Sequence, residues 1–166
     1  MKIQKSTRHQ KIIGDTGENL VCNWLSRSGF EVSIIDHTGI DIVAYYPATG
    51  RRLGITVKSR TRSEGRETVA VNIIPSQGGE DEREKIQSAC TAFSAEPWIA
   101  VYVETKDKAD LFLTSLAHYE NLYHSNKSRG LVWSMSPSAL KRYDADPEVR
   151  HVHFTFSDAN WNWGGE

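Results

Sequence analysis

The sequence contains little cysteine and has no long hydrophobic run. Cys22 and Cys90 are the only cysteines among 166 residues, too few for a disulfide framework or a four-cysteine metal site. Both fall in helical patterns, which favours small buried side chains. No apolar segment approaches the ~20 residues that cross a bilayer, and the basic segment Met1–Lys11 lacks the apolar core of a signal peptide. These absences predict a cytoplasmic protein with no membrane partner.

An excess of charge of either sign is also missing, because the formal net charge is -1. The charge is nevertheless uneven along the chain. Residues 1–66 carry 11 Lys+Arg against 6 Asp+Glu, and residues 67–166 carry 9 against 15. A local basic surface can bind a phosphate backbone even on a nearly neutral chain, although ordinary solvated faces account for the same charges. The candidate contacts for nucleic acid are Arg51, Arg52, Arg60 and Arg62.

The pattern of apolar residues predicts an α/β fold with a mixed central β-sheet flanked by helices. Residues 1–12 are expected to form a basic flexible arm, and residues 13–166 a single domain that includes a C-terminal extension, 115–166, of unassigned role. The predicted helices are 16–28, 80–94 and one that begins at Ser136-Pro137; the predicted strands are 30–35, 40–46, 53–59, 68–74, 98–104, 110–115 and 151–156.

Two of these strands each contain a charged residue of a kind that is uncommon inside a β-strand. Asp41 lies in the strand 40–46 and Lys58 in the strand 53–59, and the turn signal Pro47–Gly50 joins them into a hairpin. Because side chains alternate along a strand, Asp41 and Lys58 can face the same side. Such a pair could bind a hard cation such as Mg²⁺ and orient a water. An isolated Asp–Lys ion pair at the sheet end is the competing interpretation.

Glu18 is the third candidate, because it projects near the apolar stripe of the first predicted helix. That position favours a site that faces the sheet. A second interpretation is equally specific. Asp15–Glu18 reads DTGE, which matches a capping box in which Glu18 would cap a backbone amide at the helix start. The sequence leaves both interpretations open.

These segments together resemble the PD-(D/E)XK nuclease superfamily, and within it the archaeal Holliday-junction-resolvase branch. The resemblance rests on the order and spacing of five segments and extends over roughly residues 14–113. They are Gly14–Glu18 (GDTGE), Gly39–Ala44 (GIDIVA), Ile55–Arg60 (ITVKSR), Glu84–Gln87 (EKIQ) and Ala95–Val101 (AEPWIAV).

The resemblance implies a restriction-endonuclease-like fold and a Mg²⁺- or Mn²⁺-dependent hydrolase that cleaves phosphodiester bonds in DNA, including branched DNA. It implies that Glu18, Asp41 and the backbone carbonyl of Val57 hold the metal, and that Lys58 assists the attacking water. It also makes DNA the expected partner and a homodimer the expected assembly.

Thr56 departs from the family pattern, because it stands where the superfamily carries a second acid. A neutral hydroxyl is a poorer ligand for a hard cation than a carboxylate. The missing acid could be replaced by Asp36, Glu64 or Glu67, although none has an obviously correct spacing. Simple loss of the acid would instead leave a catalytically degenerate nuclease-fold module that binds nucleic acid or assembles with a protein partner.

His151 and His153 fall on the same face of the last predicted strand. They could form half of a metal site. No third ligand accompanies them in the sequence, which favours a surface pair on an edge strand.

Overall fold

A computed structural model describes residues 3, 5–124 and 130–161 of the chain. Most of the predicted elements are present, with shifted ends. In chain order the elements are α1 (His9–Arg27), β1 (Glu31–His37), β2 (Ile40–Tyr46), β3 (Arg51–Thr61), β4 (Val71–Ile74), α2 (Gly79–Ala92), β5 (Glu96–Glu104), β6 (Lys108–Ser115), α3 (Leu116–Tyr123), β7 (Leu131–Trp133), α4 (Pro137–Asp144) and β8 (Arg150–Thr155).

The main sheet has six strands in the order β1-β2-β3-β5-β6-β8, and β4 pairs with β7 in a separate two-stranded sheet. All neighbours in the main sheet are antiparallel except β3 and β5, which run parallel. A parallel step needs a long crossover connection, and the segment that contains α2 supplies it. The predicted mixed sheet flanked by helices is therefore confirmed.

Helices or the small sheet cover both faces of the main sheet. On the α1 face, Val21 and Leu25 of the helix pack against a core that includes Val57 of β3. On the α2 face, Ile86 of α2 belongs to a second core that also contains Trp133. A strand covered on both faces is expected to be apolar throughout, and every residue of β5 from Trp98 to Val103 is buried.

The first helix starts earlier than predicted, at His9 instead of about Thr16. Polar side chains in α1 find their ion-pair and hydrogen-bond partners within the same helix. Lys11 pairs with Asp15 one turn later at 3.0 Å, and the Thr16 hydroxyl donates to the carbonyl of Ile12 at 2.7 Å. Residues 9–12 are thus helical and do not belong to a flexible arm, while Lys2 of that arm lies outside the described residues.

The segment after residue 115 is integrated into the same fold over its described part. β8 adds an edge strand to the main sheet beside β6, and β7 completes the small sheet. The hydroxyl of Ser136 caps α4 by accepting from the amide of Ala139 at 3.3 Å, as its position before Pro137 predicted. The elements α3 and β7 were not predicted from the sequence. In the described part of the chain, no helix is both long enough and apolar enough to cross a membrane.

Candidate active site

The candidate site lies where β2 and β3 separate. Their antiparallel pairing begins at Ile42 and Ile55, whereas β3 continues beside β5 as far as Thr61. Backbone groups of β3 beyond Ile55 that face β2 therefore need other partners. The Asp41 carboxylate supplies one, because its Oδ2 accepts a hydrogen bond from the backbone N–H of Val57 at 2.6 Å. Asp41 and Val57, both predicted to belong to the site, are in direct contact.

Thr56 occupies the position of the missing acid and has a structural role. Its side chain is buried, with 3% of the residue exposed. Its hydroxyl donates to the backbone carbonyl of Gly39 at 2.6 Å. This bond ties the start of β2 to β3 at the point where the ladder is open. The oxygen at this position is thus neutral and already hydrogen-bonded.

Gly39 allows α2 to approach this end of the sheet. Its backbone has φ of +102°, which an L side chain rarely adopts. A Cβ at this position would also lie 2.5 Å from the backbone carbonyl of Lys85 in α2. Both the backbone conformation and the lack of space therefore require glycine at position 39. Because this residue has no side chain, α2 can pack close to the site.

The close approach of α2 brings an acid to Lys58 that sequence reasoning missed. The Lys58 Nζ lies 3.9 Å from Oε1 of Glu82, and both side chains are 27% exposed. The second carboxylate oxygen of Glu82 lies 3.9 Å from Nζ of Lys85. The acidic residues at the start of α2 were the available signal for this contact. In the sequence, however, they indicated only the beginning of a helix.

Glu18 lies on α1, which packs on the other face of β3. It is half-buried in the interior of α1, so Asp15–Glu18 cannot cap the start of that helix, and the capping-box interpretation is wrong. The neighbouring Gly17 packs directly on β3, since a Cβ there would overlap the Ser59 Oγ. The pKa of Cys22 is raised by burial and by the charge of Glu18.

The helices that carry Glu18 and Glu82 pack on opposite faces of β3. Glu18 comes with α1 on the face that carries Val57. Lys58 lies on the opposite face, beside Glu82 of α2. The Asp41 carboxylate meets the backbone edge of β3 at the amide of Val57.

Arg51 and Arg52 lie at the start of β3, far from the opening. Strand geometry places Lys58 about 20 Å along β3 from this end. Arg51 pairs with Glu96 at 2.7 Å, and the hydrogen bond from Arg51 lowers the pKa of Glu96. Arg52 lies over the ring of Tyr45 at 5.3 Å. The structure thus does not bring these two arginines together with Lys58.

Arg60 and Arg62 lie nearer the opening and have different surroundings. Arg60 donates through Nη1 to the carbonyl of the preceding Ser59 at 2.8 Å. Arg62 donates through Nη2 to the carbonyls of Val69 and Ala70, at 3.0 and 2.7 Å. Burial, together with two neighbouring arginines, lowers the pKa of Arg62. Arg62 is consequently engaged in holding the loop that follows β3.

A basic cleft of about 280 Å³ lies between the start of α1 and the end of β3. Lys5 donates through Nζ to the carbonyl of Thr61 at 2.7 Å, and His9 Nε2 lies 2.8 Å from the Thr61 hydroxyl. Arg60 also lines the cleft. Lys5 and Arg60, two cations that are distant in the sequence, therefore meet here, on the end of β3 that carries Lys58.

The proposed replacements for the missing acid are engaged elsewhere where the structure describes them. Glu64 pairs with Lys106 at 3.3 Å, and Glu67 accepts from the backbone N–H of Gly65 at 2.9 Å. The side chain of Asp36 is outside the described part of the structure.

The donors available to a metal at this site are all oxygens. Carboxylates of Glu18 and Asp41 and the carbonyl of Val57 are the ligand class that Mg²⁺ and Mn²⁺ take, so the chemistry of the donor set fits such an ion. Among the described residues, Glu18 and Asp41 share no group of three acidic, histidine or cysteine side chains whose ligand atoms all lie within 4.8 Å. A metal here would rest on at most two acidic side chains, completed by backbone oxygen and water.

Comparison with known proteins identifies the fold. No family model and no curated protein matches the sequence. Among solved structures, the chain is similar to Hjc of Archaeoglobus fulgidus, a Holliday junction resolvase from an archaeal hyperthermophile, with a TM-score of 0.50 and 18% identity. The match covers 75% of this chain and 88% of that chain. The resemblance expected from the sequence motifs is thus confirmed at the level of the fold, which is the restriction-endonuclease-like fold of the archaeal resolvases.

Proposed function

We propose that this protein is a divalent-metal-dependent phosphodiesterase that hydrolyses the backbone of DNA, with branched DNA as its substrate class. The observation that carries the proposal is the position of Asp41. Its carboxylate is fixed 2.6 Å from the amide of Val57, where β2 leaves β3, and Lys58 follows Val57 directly. The similarity of the fold to that of a Holliday junction resolvase also supports the proposal.

Each residue has a distinct role in this proposal. Glu18, Asp41 and the carbonyl of Val57 would hold Mg²⁺ or Mn²⁺, which supplies charge for a phosphate oxygen and acidifies a bound water. The Lys58 ammonium orients that water or stabilises negative charge that develops at phosphorus. Glu82, at 3.9 Å from Lys58, keeps the ammonium directed at the opening and acts as a positioning residue.

The basic cleft supports DNA as the partner. Lys5, His9 and Arg60 border it, and cationic side chains on one surface contact phosphates in a salt-dependent way. A homodimer belongs to the same proposal, because a branched junction with two-fold symmetry offers two equivalent strands to be cut.

Asp41→Asn is expected to lower the rate of DNA cleavage at least about a hundredfold, a loss typical of removing a charged catalytic group. Asparagine keeps an oxygen that can accept from the amide of Val57, so the fold is retained while the charge is lost. Purified protein with Mg²⁺ or Mn²⁺ is offered branched, linear and single-stranded DNA, and cleavage rates are measured.

Asp15→Asn is the matched control, because Asp15 is an exposed acid of α1 paired with Lys11. It should cleave like the wild type. The proposal fails if the wild type cleaves none of the three substrates with either metal, or if Asp41→Asn retains the wild-type rate while thermal unfolding shows both proteins folded.

A second candidate function is a catalytically degenerate module that binds DNA. It is favoured by Thr56, whose buried hydroxyl is bonded to Gly39 instead of facing a metal. On this hypothesis the wild type binds DNA in a salt-dependent manner without cleaving it, and Thr56→Glu gains metal-dependent cleavage.

The variant Thr56→Glu separates the two candidates in one assay. If the wild type is active, the added acid changes a rate that already exists. If the wild type is inactive, cleavage that appears only in Thr56→Glu and requires Mg²⁺ identifies the degenerate module. Thr114→Glu is the control for burying an acid, since Thr114 is also fully buried, and it should gain no cleavage.

A further inference from the structure

A second group of ligand-type side chains lies at the other edge of the main sheet. Oδ1 of Asp110 lies 2.9 Å from Nε2 of His151 and 2.6 Å from Nδ1 of His153. Within residues 3, 5–124 and 130–161, it is the only group of three or more His, Cys, Asp or Glu side chains whose ligand atoms all lie within 4.8 Å of one another. The two histidines lie on an edge strand, as predicted, and β6 brings against them a third ligand-type side chain that the sequence did not indicate.

The strand register builds this cluster. Asp110 pairs directly with His153 across β6 and β8, and the Asp110 side chain is only 9% exposed. A carboxylate this deeply buried requires partners that stabilise its charge. The two imidazoles supply them in the structure, and both contact the same carboxylate oxygen.

The ring of His151 is held in place from two further directions. It stacks on Phe112 with a centroid distance of 4.3 Å. Its Nδ1 lies 2.6 Å from Oδ1 of Asp144 in α4, which leaves Nε2 directed at Asp110. When a histidine binds a metal through one ring nitrogen, a carboxylate that accepts from the other ring nitrogen orients the imidazole.

We propose that Asp110, His151 and His153 form a binding site for a divalent transition-metal ion of the Zn²⁺ and Co²⁺ class, with Asp144 orienting His151. Imidazole nitrogens select such ions over Mg²⁺. Three protein ligands leave a fourth position for water or another ligand, and His153, whose side chain is 47% exposed, lies toward solvent. With metal–ligand bonds of about 2.0–2.1 Å, tetrahedral ligands lie about 3.3 Å apart, so the separations of Asp110 from the two histidines, 2.9 and 2.6 Å, need to open by less than ~1 Å.

This site is separate from the proposed nuclease site. In the sheet order β3-β5-β6-β8, β6 and β8 lie two and three strands from β3, or about 10 and 14 Å at the usual spacing between strands. The two sites share no ligand, so metal binding at one can be tested without activity at the other.

The test is a titration of metal-stripped, tag-free protein with Co²⁺, followed by visible absorption, and with Zn²⁺, followed by calorimetry. The wild type should bind one ion per chain in a saturable manner. His153→Ala should weaken binding at least about tenfold, and Asp144→Asn about 10–100-fold, as loss of an orienting carboxylate does. His153 is preferred to His151 for the alanine variant, since removing His151 would also remove its stacking on Phe112.

Two controls isolate the site. His37→Ala removes an exposed histidine that bonds to the adjacent carbonyl of Thr38, and Asp41→Asn alters the proposed nuclease site. Both should bind the first ion as tightly as the wild type. Absence of saturable binding, or wild-type affinity in His153→Ala, would overturn the proposal, whereas loss of binding in Asp41→Asn alone would assign the ion to the nuclease site instead.

Discussion

Gly39→Ala is expected to lower the free energy of unfolding by about 4 kcal/mol, from backbone strain of about 1–3 kcal/mol and overpacking of about 1–3 kcal/mol. The backbone of Gly39 has φ of +102°, and the new Cβ would lie 2.5 Å from the backbone of Lys85. A backbone group cannot rotate away as a flexible side chain can. Relief would require α2 to shift, which would also move Glu82 away from Lys58.

Chemical denaturation of Gly39→Ala measures this loss, and Gly50→Ala is the matched control. Gly50 also has a positive φ, +75°, but a Cβ there would meet no atom within 4 Å. Its substitution should cost only the conformational strain, about 1 kcal/mol. Equal losses in the two variants would contradict the close approach of α2 to the start of β2.

Trp133→Ala is expected to cost about 4 kcal/mol, within the range for removing a large buried aromatic side chain. Trp133 is 0% exposed. Its ring lies 4.5 Å from the ring of Tyr119 and 4.4 Å from that of Tyr143, measured between centroids. β7 contributes only three residues to the fold, and Trp133 is the largest of the buried side chains that anchor the small sheet to the core of the α2 face.

Trp133→Phe and Trp161→Ala are the controls for this variant, again by chemical denaturation. Among the described residues, the Trp133 Nε1 has no hydrogen-bond partner, so phenylalanine removes an unpaired donor and should cost less than alanine. Trp161 is 82% exposed, and its loss should change stability by no more than about 0.5 kcal/mol. A cost for Trp133→Ala similar to that of Trp161→Ala would contradict the anchoring role.

The parts of the fold that depend on residues close to one another in the sequence could be predicted. The hairpin of β2 and β3 is such a case, because strand alternation and the turn Pro47–Gly50 are both local signals, and β2 has the predicted bounds. The start of α1 was misplaced because capping-type residues Asp15 and Thr16 suit a helix start, yet here Lys11 and the Ile12 carbonyl satisfy them inside the helix.

The parts of the candidate sites that depend on distant residues could not be predicted in this way. Glu82 meets Lys58 only because α2 docks on β3. Asp110 meets His151 across 41 residues of sequence, through a strand pairing that no local pattern specifies. Asp41 and Val57 were predicted as neighbours, but the hydrogen bond between them follows from the separation of β2 and β3, which is a tertiary feature.

The parallel pairing of β3 and β5 has a consequence for the order in which the chain can assemble its site during synthesis. The motif residues from Glu18 to Lys58 are all made first. The strand that flanks β3 on its other side, Glu96–Glu104, follows only after α2. A nascent chain that ends before Glu96 thus carries Glu18, Asp41, Val57 and Lys58 but lacks both the finished sheet and the packed α2 face. The sheet that carries these residues is therefore completed only when the second half of the protein has been made.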